Sequence, residues 1–370
     1  MKFLNYQTWH SKKLKDVFFP ILVINWITGL NIVEIPVGHR RPILSFIYLM
    51  IMIIFYYYIP FSKGLSICRT EGHVVGQMLF EIIWFYNGFV GLISIMIGWY
   101  YQKVVRLCIQ RIELIDASLD SFGLENNHGK SFVRLVLTLI VTFSGIFLVV
   151  ATDVFWFLKE HSLEDSIYCA YTSSAPVFLQ IIIDLSFGTM VTHQHLELSK
   201  VAWEVEKVFG LQIAMSMVTN ITFIIGNSYY LYNEIFNDDS VEESEARLGY
   251  IANEFCCCFL YLSRVLYVND TCARVTAYAH KAEQLIYSAN RSNHDTELRE
   301  EIEQFSLQLT QRPLYFSMYG LTTLDYGFVA KFLGTIMTYL IIIIQIEPKP
   351  SGNVTDTTTE VYTNLTTPIF

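Results

Sequence analysis

The sequence predicts an all-α membrane protein of seven transmembrane helices, with its amino terminus cytosolic, its carboxyl terminus extracellular and an amino-terminal segment that is re-entrant or interfacial. Three observations lead to that class. Apolar residues make up 53% of the 370 and charged ones only 16%, a balance foreign to soluble domains. The apolar residues gather into stretches long enough to cross about 30 Å of hydrocarbon as helices. Lys and Arg cluster on alternate sides of those stretches. Together they exclude a soluble enzyme, and the net charge of −9 argues against a nucleic-acid binder.

Taken in order, Lys2, Lys12, Lys13 and Lys15 precede an apolar run from Val17 to Ile35. That run holds Asn25, Asn31 and Glu34 and lacks a small-residue cleavage site, so it reads as mature chain and not as a secretory signal. As an eighth span it would carry those lysines outside, so we read it as re-entrant or interfacial. The seven expected spans are Ile43 to Phe61, Gln77 to Tyr101, Phe132 to Leu158, Ser174 to Thr192, Ile213 to Phe236, Tyr250 to Val268 and Tyr326 to Ile346.

With a cytosolic amino terminus, the inner segments (1–42, 102–131, 193–212, 269–325) hold 17 Lys and Arg and the outer ones hold 5. Basic residues flanking spans stay in the cytosol, so this asymmetry sets the orientation. The outer segments also carry twelve acids. Two N-x-T sequons, at Asn353 and Asn364, lie in the tail, and glycosylation there requires the outer side. The organisation expected is a cytosolic amino-terminal region (1–42), a six-span ligand-sensing bundle (43–268), a cytosolic helical anchor (269–325), a last span (326–346) and an extracellular tail (347–370).

Charges within spans are expensive and therefore informative. Arg134, Arg264 and Lys331 fall near expected inner ends, where long side chains snorkel to the headgroups as anchors. Glu81, Asp153, Glu234 and Glu254 fall near outer ends, and Asp184 near the midplane. A carboxylate facing lipid costs roughly 2.5–3.5 kcal/mol, so a watered cavity opening outward is expected. Its candidate lining is Glu81, Trp84, Asp153, Trp156, Gln180, Asp184, Asn227, Tyr230, Asn253 and Glu254. An ordinary polar and aromatic rim at the span ends explains most of the same residues, Asp184 least well.

Cys68 and Cys169 lie in different expected outer loops and form a candidate disulfide. Cys256, Cys257 and Cys258 are consecutive on one helix, point about 100° apart and read as buried small residues, not as a metal site. No nucleotide-binding loop, zinc signature or nucleophile elbow is present, so neither a cofactor nor a catalytic residue is expected. Two inner segments are amphipathic. Val105, Cys108, Ile112, Ile115, Leu119 and Phe122 extend the second span into the cytosol as a helix; Leu298, Ile302, Phe305 and Leu309 form a second stripe before Pro313.

After Pro313 come Phe316-Ser317-Met318-Tyr319-Gly320, then Leu324-Asp325, then a span containing Thr338-Tyr339, five apolar residues and Gln345. This order resembles the insect gustatory receptor family, and Thr28-Gly29-Leu30 matches it more loosely. The resemblance implies seven-span proteins of the plasma membrane of chemosensory neurons, assembled as tetramers whose last helices surround a cation pore. Homotetramers and heterotetramers with related receptors both fit. It implies no enzyme activity but a ligand-gated, non-selective cation channel opened by a small tastant, a sugar or a bitter compound.

On the last helix Thr338, Ile342, Gln345 and Ile346 form a row three or four apart, with Tyr339 beside it. Gln345 and its successor are the gate candidates by resemblance, and here the successor is Ile346 where the family usually has Phe. Glu347 would concentrate cations at the mouth. An odorant receptor subunit needing a co-receptor, and a transporter, are the competing readings.

Overall fold

The computed structural model describes residues 14–30, 42–59, 74–121, 128–158, 162–192, 198–236, 244–292 and 314–346, with positions 300, 303, 304, 307 and 311. Their regular structure is helical: α1 (Leu14–Ile27), α2 (Pro42–Ile53, continued by a π turn, Ile54–Tyr58), α3 (Val74–Ser121), α4 (His128–Phe157), α5 (Leu163–Thr192), α6 (Leu198–Phe236), α7 (Ser244–Ser292) and α8 (Tyr326–Ile346). An isolated bridge between Ser317 and Thr323 is the only extended pairing among the described residues.

Six helices, α3 to α8, are long and apolar enough to cross a membrane. The expected first span is the shorter apolar helix Ile43–Tyr58, which at 1.5 Å per residue reaches roughly 24 Å. Its π turn is held from α5: Tyr171 Oη donates to the Phe55 carbonyl at 2.5 Å, and Tyr168 Oη donates to that of Ile59.

The core is built around α5. Buried over 89% of its apolar window, α5 is wrapped on all sides by other helices and tolerates Gln180, Asp184, Ser186 and Thr189 within an otherwise apolar sequence. By contrast α4 is buried over only 11% of its window, and Leu137, Ile140, Val141 and Phe147 face outward, as a span against lipid tails requires.

The amino-terminal run forms a helix of 14 residues, about 21 Å long, with Val17, Phe18 and Ile21 buried. It packs against α3, α4 and α5. Its end is a Schellman cap: Leu30 N–H donates to the Asn25 carbonyl at 3.0 Å and Gly29 N–H to that of Trp26 at 3.3 Å, with Gly29 at φ +77°, a conformation that favours glycine. The Thr28-Gly29-Leu30 passage is thus a helix stop. Asn25 continues inward and donates to Ser186 on α5 at 3.0 Å.

Two helices run far past their apolar stretches, α3 for 48 residues and α7 for 49. The expected cytosolic extension of the second span is therefore continuous with it. Cys108 and Ile112 of its stripe are buried, and Arg111 pairs with Glu204 of α6 at 2.7 Å, so the stripe is covered within the same subunit. The side chains of Ile115 and Leu119, and all of Phe122, lie outside the described residues, as does the second stripe.

The Phe316 to Asp325 passage folds as a compact turn. Leu324 N–H donates to the Phe316 carbonyl and Met318 N–H to that of Thr322, both at 2.9 Å. Phe316, Met318 and Leu324 are buried, Phe316 edge-on to Phe187, and Ser317 hydrogen-bonds Glu206 of α6. Asp325 then caps α8, accepting from Phe328 N–H at 2.8 Å.

Candidate functional site

A cavity of about 220 Å³ lies among α3 to α7. It occupies the end of the bundle where α4 turns into α5 and α6 into α7, the end expected from the sequence to face outward. Each wall is one stripe of a helix: Tyr250, Asn253, Glu254, Cys257 and Tyr261 on α7; Phe223, Asn227 and Tyr230 on α6; Trp84 and Asn87 on α3; Asp153 on α4; Thr172, Ser173 and Phe178 on α5. Spacings of three and four repeat on α3, α6 and α7, so their side chains converge because on each helix they share a face.

Of the sequence candidates, Trp84, Asp153, Asn227, Tyr230, Asn253 and Glu254 line this cavity. Glu81 does not: it borders a separate shallow recess on α3 with Met78, Ile82 and Phe85. The Trp156 side chain lies outside the described residues. Cys257 is half-buried and faces the cavity, with Cys256 and Cys258 half-buried beside it. Asn87, Tyr250 and Tyr261 were missed. Their signal was the α7 spacing itself, since 250, 253, 254, 257 and 261 follow one face.

Within the cavity, Asn253 Nδ2 donates to Asp153 Oδ1 at 3.1 Å and ties α7 to α4. Glu254 stands one residue further on α7 and interacts electrostatically with Asp153. Phe223 stacks on Tyr261, centroids 4.5 Å apart. Lys, Arg and His are absent from the described lining.

Gln180 and Asp184 sit behind the wall, in a buried network. Gln180 Nε2 donates to Asn87 Oδ1 at 3.1 Å, and Arg264 Nη2 donates to Gln180 Oε1 at 3.4 Å and to Ser216 Oγ at 2.9 Å. Arg264 also reaches Asp184 Oδ2 from Nε at 2.9 Å and from Nη2 at 2.8 Å, with the two side chains 5% and 4% exposed. Arg264 is therefore not a snorkelling anchor. Because α7 extends far beyond its apolar stretch, a residue near the expected span end is deep in the bundle. Asp184 is the counter-ion of Arg264 and not a cavity wall. Arg134 and Lys331 are exposed.

On α8 only Phe332 and Ile336 are buried. Thr338, Tyr339, Ile342, Gln345 and Ile346 are exposed, while Phe328 and Ile343 pack partly against the core. The helix rests chiefly on α6 and α7. Glu347, Asn353, Asn364 and Cys68 lie outside the described residues; Cys169, the expected partner of Cys68, is disulfide-bonded. Among the described residues no group of His, Cys, Asp and Glu could hold a metal ion.

Comparison with known proteins reaches both the sequence and the fold. Residues 191–349 match the family described as 7tm chemosensory receptor. Gustatory receptor 28b of Drosophila melanogaster is 22% identical over 186 residues, 47% of this chain and 40% of that protein. Gustatory receptor for sugar taste 43a, of the same fly, is 26% identical over 154 residues, 41% of this chain and 34% of that one. The chain thus matches well under half the length of these relatives. The structure of insect olfactory receptor OR5 from Machilis hrabei in complex with eugenol superposes with a TM-score of 0.60 over 90% of this chain and 99% of that one, at 11% identity. With the Thr338-Tyr339 to Gln345 helix inside the matched region, residues 191–349 are similar to the 7tm chemosensory receptor family, and the chain shares its fold with an insect olfactory receptor.

Proposed function

We propose that the chain is a gustatory receptor that works as a ligand-gated, non-selective cation channel, with amino terminus inside and carboxyl terminus outside the plasma membrane of a chemosensory neuron. Four copies, of this chain or of this chain with related receptors, surround a pore with their last helices. The observation that carries this reading is the outward face of α8. Thr338, Tyr339 and Gln345 point away from the subunit's own core, and an amide left in lipid is costly. A watered axis between subunits satisfies it.

On that axis Ile342 and Ile346 form apolar rings that close a narrow pore by excluding water, and turning the helix exchanges them for polar surface. Ligand binding and pore are linked through two elements. The helices α6 and α7 form two walls of the cavity and also carry α8. A small tastant, a sugar or a bitter compound, that prefers one arrangement of those walls biases the position of α8 by its differential affinity.

Whole-cell recording from cells expressing only this chain tests the reading: a tastant panel evokes a cation current, and Asp153→Ala abolishes the response while surface expression persists. A normal dose response in Asp153→Ala removes that residue from the site. A current seen only on co-expression with a second receptor shows instead an obligate heteromer.

A further inference from the structure

We propose that the cavity takes a protonated organic amine with an aromatic or bulky apolar body, its nitrogen held by Asp153 and Glu254. This rests on the cavity being the ligand site of the proposed receptor, and it narrows the ligand to one chemical class. Three independent features of the wall point the same way.

The first is charge. Asp153 and Glu254 face one cavity, while Lys, Arg and His are missing from its described lining. The nearest buried cation, Arg264, is engaged by Asp184. Two carboxylates in a low-dielectric site favour an entering cation far more than they would in water.

The second is hydrogen bonding. Asn253 is 7% exposed, and its Oδ1 finds no partner among the described residues; the same is true of Glu254 Oε2. Both orphans are acceptors. A buried acceptor without a donor is costly, and an ammonium brings up to three donors and no acceptor. A sugar brings as many acceptors as donors, and the two orphaned groups answer only the donors.

The third is the rest of the wall. Trp84, Phe178, Phe223 and Tyr261 surround the acids, giving an apolar seat for a ring and aromatic faces for the cation.

The test uses the full chain purified into lipid nanodiscs and measures equilibrium binding of 2-phenylethylamine and its neutral counterpart 2-phenylethanol. The amine is expected to bind at least tenfold more tightly, with N-acetyl-2-phenylethylamine falling to the level of the alcohol. The tenfold preference disappears in the Asp153→Asn, Glu254→Gln double variant, whose folding is checked by its elution profile and by retained binding of the alcohol. The acetylated probe keeps the test decisive if the double variant does not fold, because it removes the charge from the ligand side. Equal binding of amine and alcohol, no binding of the amine, or a preference that survives the double variant overturns the proposal. Currents are recorded separately. A current evoked by other compounds without amine binding overturns this ligand class and leaves the channel standing, whereas amine binding without any current supports the class and counts against the channel.

Discussion

At the scale of single residues, Arg264 shows how far position in an apolar stretch can mislead. Its place near the end of an expected span suggested a side chain reaching for headgroups, yet the helix continues to Ser292, so the guanidinium is buried against Asp184, Ser216 and Gln180. The sequence contains both charges, but nothing in it records that they meet across α5 and α7. Asp184 alone was legible as unusual, because a midplane acid demands a partner or water. Removing one member strands the other: Arg264→Met is expected to cost about 3–5 kcal/mol and to cut the yield of monodisperse protein sharply. Adding Asp184→Leu removes the stranded charge and restores most of the thermal midpoint. A double variant no better than Arg264→Met would show that the pair is not the compensating unit. The cavity residues were more readable, since Asp153, Asn253 and Glu254 are polar where lipid would exclude them. Tyr250 and Tyr261 were not, because an aromatic in an apolar helix carries no sign of which side it faces.

At the scale of elements, six of seven spans followed from hydropathy alone, because a helix is the way a single apolar segment satisfies its backbone in lipid. Hydropathy says nothing about where the helix itself ends, and α3 and α7 run on as amphipathic extensions beyond the apolar stretch. Close helix packing was also invisible. Gly98 on α3 receives the capped end of α1, and a Cβ there would meet the Leu30 carbonyl oxygen at 2.2 Å. Backbone cannot yield as a flexible side chain does, so Gly98→Ala is expected to lower stability by about 1–3 kcal/mol. Gly145 on α4 has open space where its Cβ would stand, and Gly145→Ala, which improves helix propensity by about 1 kcal/mol, should leave the midpoint unchanged or raised. Thermal unfolding of both variants followed by fluorescence-detected chromatography compares them directly. Equal behaviour would mean that α1 does not seat against α3 as described.

At the scale of the molecule, orientation rests on charge, and the fold itself is indifferent to it: the same bundle inserted upside down keeps every packing contact. What breaks the symmetry is the free energy of moving basic residues across the bilayer. Seventeen Lys and Arg lie on one side and five on the other, while twelve acids sit with the five, and basic flanks are retained in the cytosol. The proposed mechanism needs that orientation, because it opens the cavity between α3 and α7 toward external ligands and sets Glu347 at the outer mouth of the pore. It also makes the tail after Ile346 extracellular, where Asn353 and Asn364 meet the glycosylation machinery. An epitope fused after Phe370 is therefore expected to bind antibody on intact cells, and glycosidase treatment should shift the wild-type band but not that of Asn353→Gln, Asn364→Gln. With the tail outside, Glu347→Gln should reduce single-channel conductance most at low salt, where a ring of carboxylates concentrates cations and is least screened. Labelling that appears only after permeabilisation would place the cavity mouth in the cytosol. The cavity would then be open to intracellular metabolites and closed to external tastants.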